Sequence, residues 1–187
     1  PGFGHTAGAA LAEHDGVDKI AFTGSVEVGK SIVRASLGNL KRVTLELGGK
    51  SPVIAFPDAD MKNAIAVAAA GIFRNAGQIC AAGTLLYAHE RVYDELVEGI
   101  AQKFRTLKIG SGMEPETEMG PVVSQRQLER VLGYLKAGKT DGARPYIGGS
   151  RIEREGYFVQ PTILTDTKAG MSVRREEIFG PVMCAMS

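Results

Sequence analysis

The chain has 187 residues and a net charge of +1, and 44% of its residues are apolar and 23% charged. These proportions are those of a folded globular protein, so extended disorder is excluded, and the low net charge gives no reason to expect a nucleic-acid or membrane partner. The longest nearly uncharged stretch, "NAIAVAAAGIF", is too short to cross a bilayer.

The two cysteines, Cys80 and Cys184, cannot form a disulfide framework. We therefore expect a reducing compartment, and the cytoplasm is the predicted location. Two thiols and three scattered histidines give little support for a zinc cluster, so no metal is expected. The chain begins at Pro1 without an initiator Met and stops inside an apolar run. We therefore expect an internal piece of a longer protein, with any targeting signal outside it.

In chain order, the first predicted elements are a buried strand at residues 18–22, a tight turn "TGS" and an amphipathic helix over residues 26–38. Val28 and Ile32 share one face of that helix, and Ser25 precedes it as a candidate N-cap. The segments "RVTLEL" and "SPVIAF" then predict two strands.

A helix is predicted from Asp60 to Phe73, followed by a glycine-containing break, "RNAGQICAAG", and a strand, "TLLYAH". Two more helices are predicted, "RVYDELVEGIAQKFRTL" and "SQRQLERVLGYLKAGKTDG", and then three strand segments, "RPYIGG", "GYFVQPTIL" and "EEIFGPVMCAM". Strands that alternate with helices predict an α/β fold with a largely parallel sheet. A change of pattern at Gly48–Gly49 predicts one domain over residues 1–48 and a second over residues 49–187.

The stretch "FTGSVEVGKS" at residues 22–31 fits the phosphate-loop pattern G-x-x-x-x-G-K-[ST], which makes a nucleotide triphosphatase one alternative. That loop wraps backbone N–H groups around phosphates, and the β-branched Val26 and Val28 are poor hosts for the dihedral angles it needs. Glu27 would also place a carboxylate beside a polyphosphate. A helix start at Gly24–Ser25 still suits an anion, such as the pyrophosphate of a dinucleotide. An ordinary strand-to-helix turn is the other interpretation.

The segment "LELGGKSP" places Glu46 at the end of a strand, among apolar neighbours and just before a Gly-Gly pair. A carboxylate in such a setting loses hydration, which suits a general base. The alternative is a structural glutamate paired with Lys50 or Arg42.

The segment "FRNAGQICAAGT" places Cys80 in a break rich in glycine and alanine, between a helix and a strand. Small neighbours allow a substrate to approach closely and leave backbone N–H groups available, so the thiol is a candidate nucleophile. The alternative is a buried, unreactive cysteine.

Four segments taken together resemble the aldehyde dehydrogenase superfamily, in their order and approximate spacing. They are "FTGSVEVGK", "LELGGKSP", "FRNAGQICAAG" and "EEIFGPV", and the resemblance extends over essentially the whole chain. It implies that residues 1–48 are the C-terminal part of a Rossmann-like, dinucleotide-binding domain. Residues 49–187 would then be part of an α/β catalytic domain with a largely parallel sheet, truncated at its C-terminus.

The resemblance implies two catalytic residues. Cys80 would attack the carbonyl carbon of an aldehyde, and its backbone N–H would hold part of the resulting oxyanion. Hydride would leave for NAD, with NADP as a second possibility. Glu46 would activate the water that hydrolyses the thioester to a carboxylic acid.

The resemblance also implies a set of cofactor-binding residues. Gly24 and Ser25 would lie against the pyrophosphate, Glu177 would bond the hydroxyls of the nicotinamide ribose, and Phe179 would flank that ribose and its ring. Judged without the family, Glu177 belongs to a solvated acidic pair beside two arginines. The complete implied set is Gly24, Ser25, Val28, Leu47, Glu177 and Phe179.

This chain departs from the family pattern at two positions. Relatives commonly carry an arginine five residues after the cysteine, where this chain has Leu85, and this departure puts the local packing in doubt. Arg74 stands where relatives often place an apolar or aromatic residue that lines the substrate tunnel. We expect Arg74 either to favour aldehydes with an anionic or polar tail or to turn towards solvent.

The family's enzymes are much longer, and upstream they carry an asparagine that completes the oxyanion hole. We therefore expect this piece alone to be inactive and poorly folded, and its full-length parent to be a homodimer or homotetramer acting on a small-molecule aldehyde. The nearest alternative within the family forms an acyl-coenzyme A. That route does not use a water-activating carboxylate, so Glu46 argues against it.

Overall fold

The computed structural model describes residues 1–187 and divides them into two units, Pro1–Gly48 and Gly49–Ser187. The first unit opens with a π-helical turn, Gly4–Gly8, that continues into helix α1, Ala9–Glu13. Neither helix was predicted, because the glycine-rich start hides any helical periodicity.

The rest of the first unit is a strand, a helix and a parallel strand. Strand β1 spans Lys19–Gly24, helix α2 spans Val26–Ser36, and strand β2 spans Arg42–Leu47, so the three elements occur in the predicted order. The prediction that β1 is buried and ends before a turn at residue 23 is wrong, because the strand continues to Gly24 and its residues are exposed or only partly buried. In the register of the two strands, Gly24 pairs with Leu47. The carboxyl ends of β1 and β2 therefore lie side by side.

The prediction that Val28 shares the buried face of α2 is wrong, because Val28 is 46% exposed. Gly29 and Ile32 are the buried residues of the helix. A Cβ at residue 29 would lie 2.8 Å from a methyl group of Leu47. The absence of a side chain at Gly29 therefore lets α2 approach β2 closely.

The second unit contains a five-stranded sheet in the order β3-β4-β7-β6-β5. Strand β5 is antiparallel to β6, and the other pairs are parallel, so the predicted α/β fold with a largely parallel sheet is confirmed. The strands are β3 Pro52–Ala55, β4 Leu85–Ala88, β5 Arg144–Ile147, β6 Thr162–Thr165 and β7 Val182–Met186.

Helices cover both faces of this sheet. Alternate strand residues point to opposite sides, and here both sides carry apolar side chains that need a cover. Leu85 and Cys184 belong to one apolar cluster, whereas their neighbours Leu86 and Met183 belong to the other. The first cluster includes α5 and α6, and the second includes α3 and α4. The helices are α3 Met61–Phe73, α4 Glu90–Thr106, α5 Gln125–Thr140 and α6 Ser172–Arg175.

The predicted strands of the tail are too long. Only the last few residues of "GYFVQPTIL" and of "EEIFGPVMCAM" are strands, β6 and β7, and the residues before them form loops. None of the helices combines the length and apolar composition that a bilayer crossing needs. No three His, Cys, Asp or Glu side chains lie together as a metal site would require.

Candidate active site

In the second unit, three loops meet at one edge of the sheet. Pro52, Leu85 and Cys184 are paired across the parallel strands β3, β4 and β7, so the amino ends of these strands are adjacent. The loops that enter them are residues 48–51, 74–84 and 176–181. Two of the predicted site segments, around Cys80 and around Glu177, are therefore neighbours at this edge.

Cys80 is exposed, so the alternative of a buried, unreactive cysteine is wrong for this residue. The Cys80 carbonyl accepts a hydrogen bond of 3.4 Å from the Ser51 hydroxyl. The backbone N–H of Cys80 donates to no atom of the chain. A thiol and an unused backbone donor at one exposed position are what nucleophilic attack on a carbonyl requires.

Cys184, by contrast, is completely buried in β7, and its Sγ lies 3.3 Å from the carbonyl oxygen of Val173. Burial raises the pKa of the Cys184 thiol to about 11, although Lys50 and Arg174 oppose the shift. The thiol therefore stays protonated at neutral pH, and Cys184 is the unreactive cysteine of the pair.

The loop before Cys80 contains a turn of three consecutive residues with positive φ. They are Asn75 (49°), Ala76 (52°) and Gly77 (70°). A Cβ at Gly77 would lie 2.2 Å from the carbonyl oxygen of Gly180. The absence of a side chain at Gly77 therefore brings the cysteine loop into contact with the loop that carries Glu177.

Helix α5 holds the Glu177 loop through one face. Gln127 donates to the Ile178 and Phe179 carbonyls at 3.1 and 2.7 Å, and Arg130 donates to the Glu177 carbonyl at 2.6 Å. These bonds hold Phe179 at a φ of 57°, a value that is uncommon for a residue with a side chain.

The two glutamates of this loop differ in their surroundings. The Glu176 carboxylate accepts a hydrogen bond of 2.8 Å from the hydroxyl of Tyr134. The Glu177 side chain is partly exposed and has neither a hydrogen bond nor an ion pair within the chain. Both glutamates reach solvent, as the alternative of a solvated acidic pair beside two arginines expects, and the unpaired Glu177 carboxylate can also accept from a ligand.

Lys50, in the loop before β3, has its ammonium group buried without a hydrogen-bond partner. Burial lowers the pKa of Lys50, whereas the nearby Cys184, Glu177 and Glu176 oppose that shift. An unpaired cation in this position adds positive potential beside the Glu177 loop.

In the first unit, the predicted residues gather at the carboxyl ends of β1 and β2. Thr23 pairs with Glu46, so Glu46 lies level with the strand end that leads into Gly24 and Ser25. Ser25 caps α2 as predicted, since its hydroxyl accepts the Val28 N–H at 3.3 Å. A Cβ at Gly24 would lie 2.4 Å from the Phe22 ring. Close packing inside the unit therefore accounts for glycine at residue 24.

Glu46 is exposed and forms no ion pair. The predicted loss of hydration is therefore wrong for this chain, and so is the alternative of a glutamate paired with a cation. Leu45 and Leu47, which suggested an apolar setting, point to the opposite side of the strand and are partly buried.

Residues 24–31 fit the phosphate-loop pattern in sequence, but they do not form a phosphate loop in the structure. Helix α2 begins at Val26, so Gly29 and Lys30 are its fourth and fifth residues and do not precede the helix. Apart from Ser25, the extended N-cap, the residues between Gly24 and Gly29 are helical and cannot wrap around a triphosphate. The triphosphatase alternative therefore loses its only support.

The two departures from the family pattern have different surroundings. Leu85 is buried in the sheet, so an apolar residue is accommodated there. Arg74 is exposed and its guanidinium forms no hydrogen bond or ion pair, as the solvent-facing alternative expects.

Comparison with known proteins decides the family. The sequence model described as the aldehyde dehydrogenase family matches residues 1–187. The chain belongs to the aldehyde dehydrogenase family.

Individual members of this family are close relatives over part of their length. Human mitochondrial aldehyde dehydrogenase is 50% identical over 184 residues, which make up 98% of this chain and 36% of that protein. The mitochondrial enzyme of Mesocricetus auratus is 51% identical over 98% of this chain and 37% of its own length. The NAD+ complex of aldehyde dehydrogenase from Bacillus cereus has a TM-score of 0.97 and 49% identity, covering 100% of this chain and 38% of that one.

The structure adds residues that sequence analysis of this aldehyde dehydrogenase segment missed. They are the amide side chains of Gln78 and Gln127 and the cations of Lys50 and Arg130. Each amide has a partner 45 or more residues away along the chain, and local spacing gives no sign of those contacts. The sequence suggests Lys50 only as a partner of Glu46.

Proposed function

We propose that Cys80 and Glu46 carry out the central chemistry of an NAD-dependent aldehyde dehydrogenase, the oxidation of an aldehyde to a carboxylic acid. The observation that carries the proposal is the exposed thiol of Cys80 with its unused backbone N–H, in a chain of this family. Because the chain spans well under half of its relatives' length, activity belongs to a longer protein that contains it.

In the first step the Cys80 sulfur, as thiolate, forms a bond to the carbonyl carbon of the aldehyde. The carbonyl oxygen becomes an oxyanion, and the N–H of Cys80 donates to it. Bound NAD supplies the hydride acceptor for the next step. Cys80 is then left joined to the acyl group as a thioester.

In the last step Glu46 removes a proton from water, and the water oxygen attacks the thioester carbon. The carbon–sulfur bond breaks, the acid leaves and the sulfur of Cys80 is restored. The exposed position of Glu46 at the end of β2 leaves its carboxylate accessible to water. General-base assistance of this kind contributes about 10²- to 10⁴-fold in rate.

The residues present fit a dinucleotide. The start of α2 offers backbone N–H groups and the positive end of the helix dipole, beside Gly24 and Ser25. The apolar side chains of Val28 and Leu47 lie in the same region. At the other predicted subsite, the Glu177 carboxylate has no protein partner and Phe179 is half-buried, which suits the ribose hydroxyls and the ring.

A full-length carrier enzyme tests the proposal. We define it as the Bacillus cereus aldehyde dehydrogenase with its matching segment replaced by these 187 residues. Aldehyde-dependent reduction of NAD is expected in the carrier and is expected to disappear with Cys80→Ala. Glu46→Gln is expected to lower kcat about 10²- to 10⁴-fold and to let an acyl group accumulate on Cys80, detected by peptide mass spectrometry.

Two matched variants serve as controls. Cys184→Ala removes the buried thiol, and Glu13→Gln removes an exposed carboxylate in the same unit as Glu46, so both should keep their activity. Activity that survives Cys80→Ala, or an acyl group found only on another residue, would refute the proposal. Transfer of the acyl group to coenzyme A at an undiminished rate in Glu46→Ala would favour the acyl-coenzyme A alternative.

A further inference from the structure

The backbone before Cys80 is strained. Asn75 and Ala76 both have positive φ although they carry side chains, a conformation that is unfavourable for residues other than glycine. Conformations of this kind persist where surrounding contacts fix them, and they concentrate at functional sites. Two of the hydrogen bonds around this turn are made by one side chain, that of Gln78.

Gln78 is 9% exposed, and both ends of its amide are used. Its Nε2 donates to the Asn75 carbonyl at 2.9 Å, and its Oε1 accepts the N–H of Val123 at 2.9 Å. In return, the Asn75 side chain donates to the Gln78 carbonyl at 3.0 Å. The turn is thereby closed on itself and fastened to the segment that leads into α5.

These bonds fix successive peptide planes up to the nucleophile. Asn75 holds the carbonyl of Gln78, and the Ala82 N–H donates to the Ile79 carbonyl at 3.0 Å. The Ile79 carbonyl and the Cys80 N–H belong to one planar trans peptide and point in opposite directions. Fixing the carbonyl on one side therefore directs the Cys80 N–H, which has no partner in the chain, to the other side.

We propose that Gln78 is a positioning residue, which holds the left-handed turn so that the Cys80 N–H is directed at the developing oxyanion. The inference rests on the proposed role of Cys80. Gln78 itself does not touch the reacting atoms, since its amide is occupied by Asn75 and Val123. Its effect is exerted through the direction of one backbone donor.

Two reactions of the Cys80 sulfur distinguish a positioning role of Gln78 from a role in stabilising the fold. Addition to an aldehyde creates an oxyanion and needs the backbone donor, whereas alkylation by iodoacetamide creates none. In the carrier enzyme, Gln78→Met should lower kcat/KM for the aldehyde about a hundredfold, the cost of roughly a 1 Å misplacement, with KM for NAD nearly unchanged. The alkylation rate of Cys80 should stay close to that of the parent carrier.

Buried Cys184 reports on unfolding in the same experiment, because only an opened structure exposes it to iodoacetamide. Gln78→Glu is the second variant, which keeps the shape and the acceptor for Val123 but loses the donor to Asn75, and it should also lower kcat/KM. Gln102→Met, on the exposed face of α4, is the matched control and should change neither reaction.

The proposal is overturned if both Gln78 variants keep the kcat/KM of the parent carrier. It is also overturned if kcat/KM falls only together with rapid alkylation of Cys184, because that result indicates loss of folding. Persistent activity in Cys80→Ala would instead refute the proposed function of Cys80, so the two failures are distinguishable.

Discussion

The contact between the cysteine loop and the Glu177 loop can be tested with one methyl group. In Gly77→Ala the new Cβ would lie 2.2 Å from the carbonyl oxygen of Gly180, whereas real Cβ atoms are essentially never closer than 3.0 Å. The two backbones must therefore separate by about 1 Å, a movement of the size that can cost a hundredfold in rate.

Two contributions to stability can be separated. Gly77 has a φ of +70°, so alanine there costs about 1–2 kcal/mol from backbone strain alone. Overpacking against Gly180 adds about 1–3 kcal/mol. Gly142 also has a positive φ, +102°, but has no neighbour within 4 Å, so Gly142→Ala serves as the control with strain and no overlap.

Both variants are to be compared in the carrier enzyme by thermal unfolding at a fixed scan rate and by steady-state kinetics. Gly77→Ala should lower the unfolding midpoint more than Gly142→Ala does and should lower kcat/KM about a hundredfold, whereas Gly142→Ala should keep its activity. Equal midpoints together with full activity in Gly77→Ala would show that the two loops do not need this close approach.

Three further predictions concern titratable residues. At neutral pH iodoacetamide should label Cys80 and leave Cys184 unmodified, by peptide mass spectrometry, and equal labelling of both in the folded protein would contradict the assignment. Lys50→Met should raise the unfolding midpoint at pH 7, because it removes an unpaired buried cation whose pKa is lowered in the folded state. Between the lowered pKa of Lys50 in the folded state and the ordinary lysine pKa of about 10.4, the unfolded state binds more protons, so the parent gains stability as pH rises through this window. The advantage of Lys50→Met should therefore shrink there, and a pH-independent difference would refute the explanation. If Arg74 faces the substrate, Arg74→Leu should shift the kcat/KM ratio away from carboxylated aldehydes, measured against aliphatic ones, and an unchanged ratio would leave Arg74 a solvent-facing residue.

Most elements could be predicted because local patterns determine them. Val92, Leu96, Ile100 and Phe104 repeat at helical spacing, and all four are buried in α4. Asp60, where the predicted helix begins, is the N-cap of α3 and accepts the N–H of Asn63. The prediction failed where a contact with another element of the fold decides which residue is buried. In α2 the buried face contains Gly29 and not Val28, because Leu47 of β2 lies against Gly29.

The error at Glu46 has a different cause. The prediction rests on the apolar neighbours of Glu46 along the sequence, but successive strand residues face opposite sides, so Leu45 and Leu47 say little about the environment of Glu46. The sequence position of Glu46 makes it a candidate general base, whereas the geometry of the sheet determines how exposed its side chain is. The same limit applies to Gln78, whose partner Val123 is 45 residues away.

Backbone strain gives evidence about the site that does not depend on the family. Five residues with side chains have positive φ, and three of them lie on the two loops that carry Cys80 and Glu177. Those three are Asn75, Ala76 and Phe179. The amide of Gln78 bonds the Asn75 carbonyl, and the amide of Gln127 bonds the Phe179 carbonyl. A fold under selection for stability alone has no reason to collect this strain at one edge of a sheet, because each residue costs about 1–3 kcal/mol. The strain is accounted for if the loops must hold a backbone donor and a carboxylate in fixed directions, which is what attack on a carbonyl and binding of a ribose require.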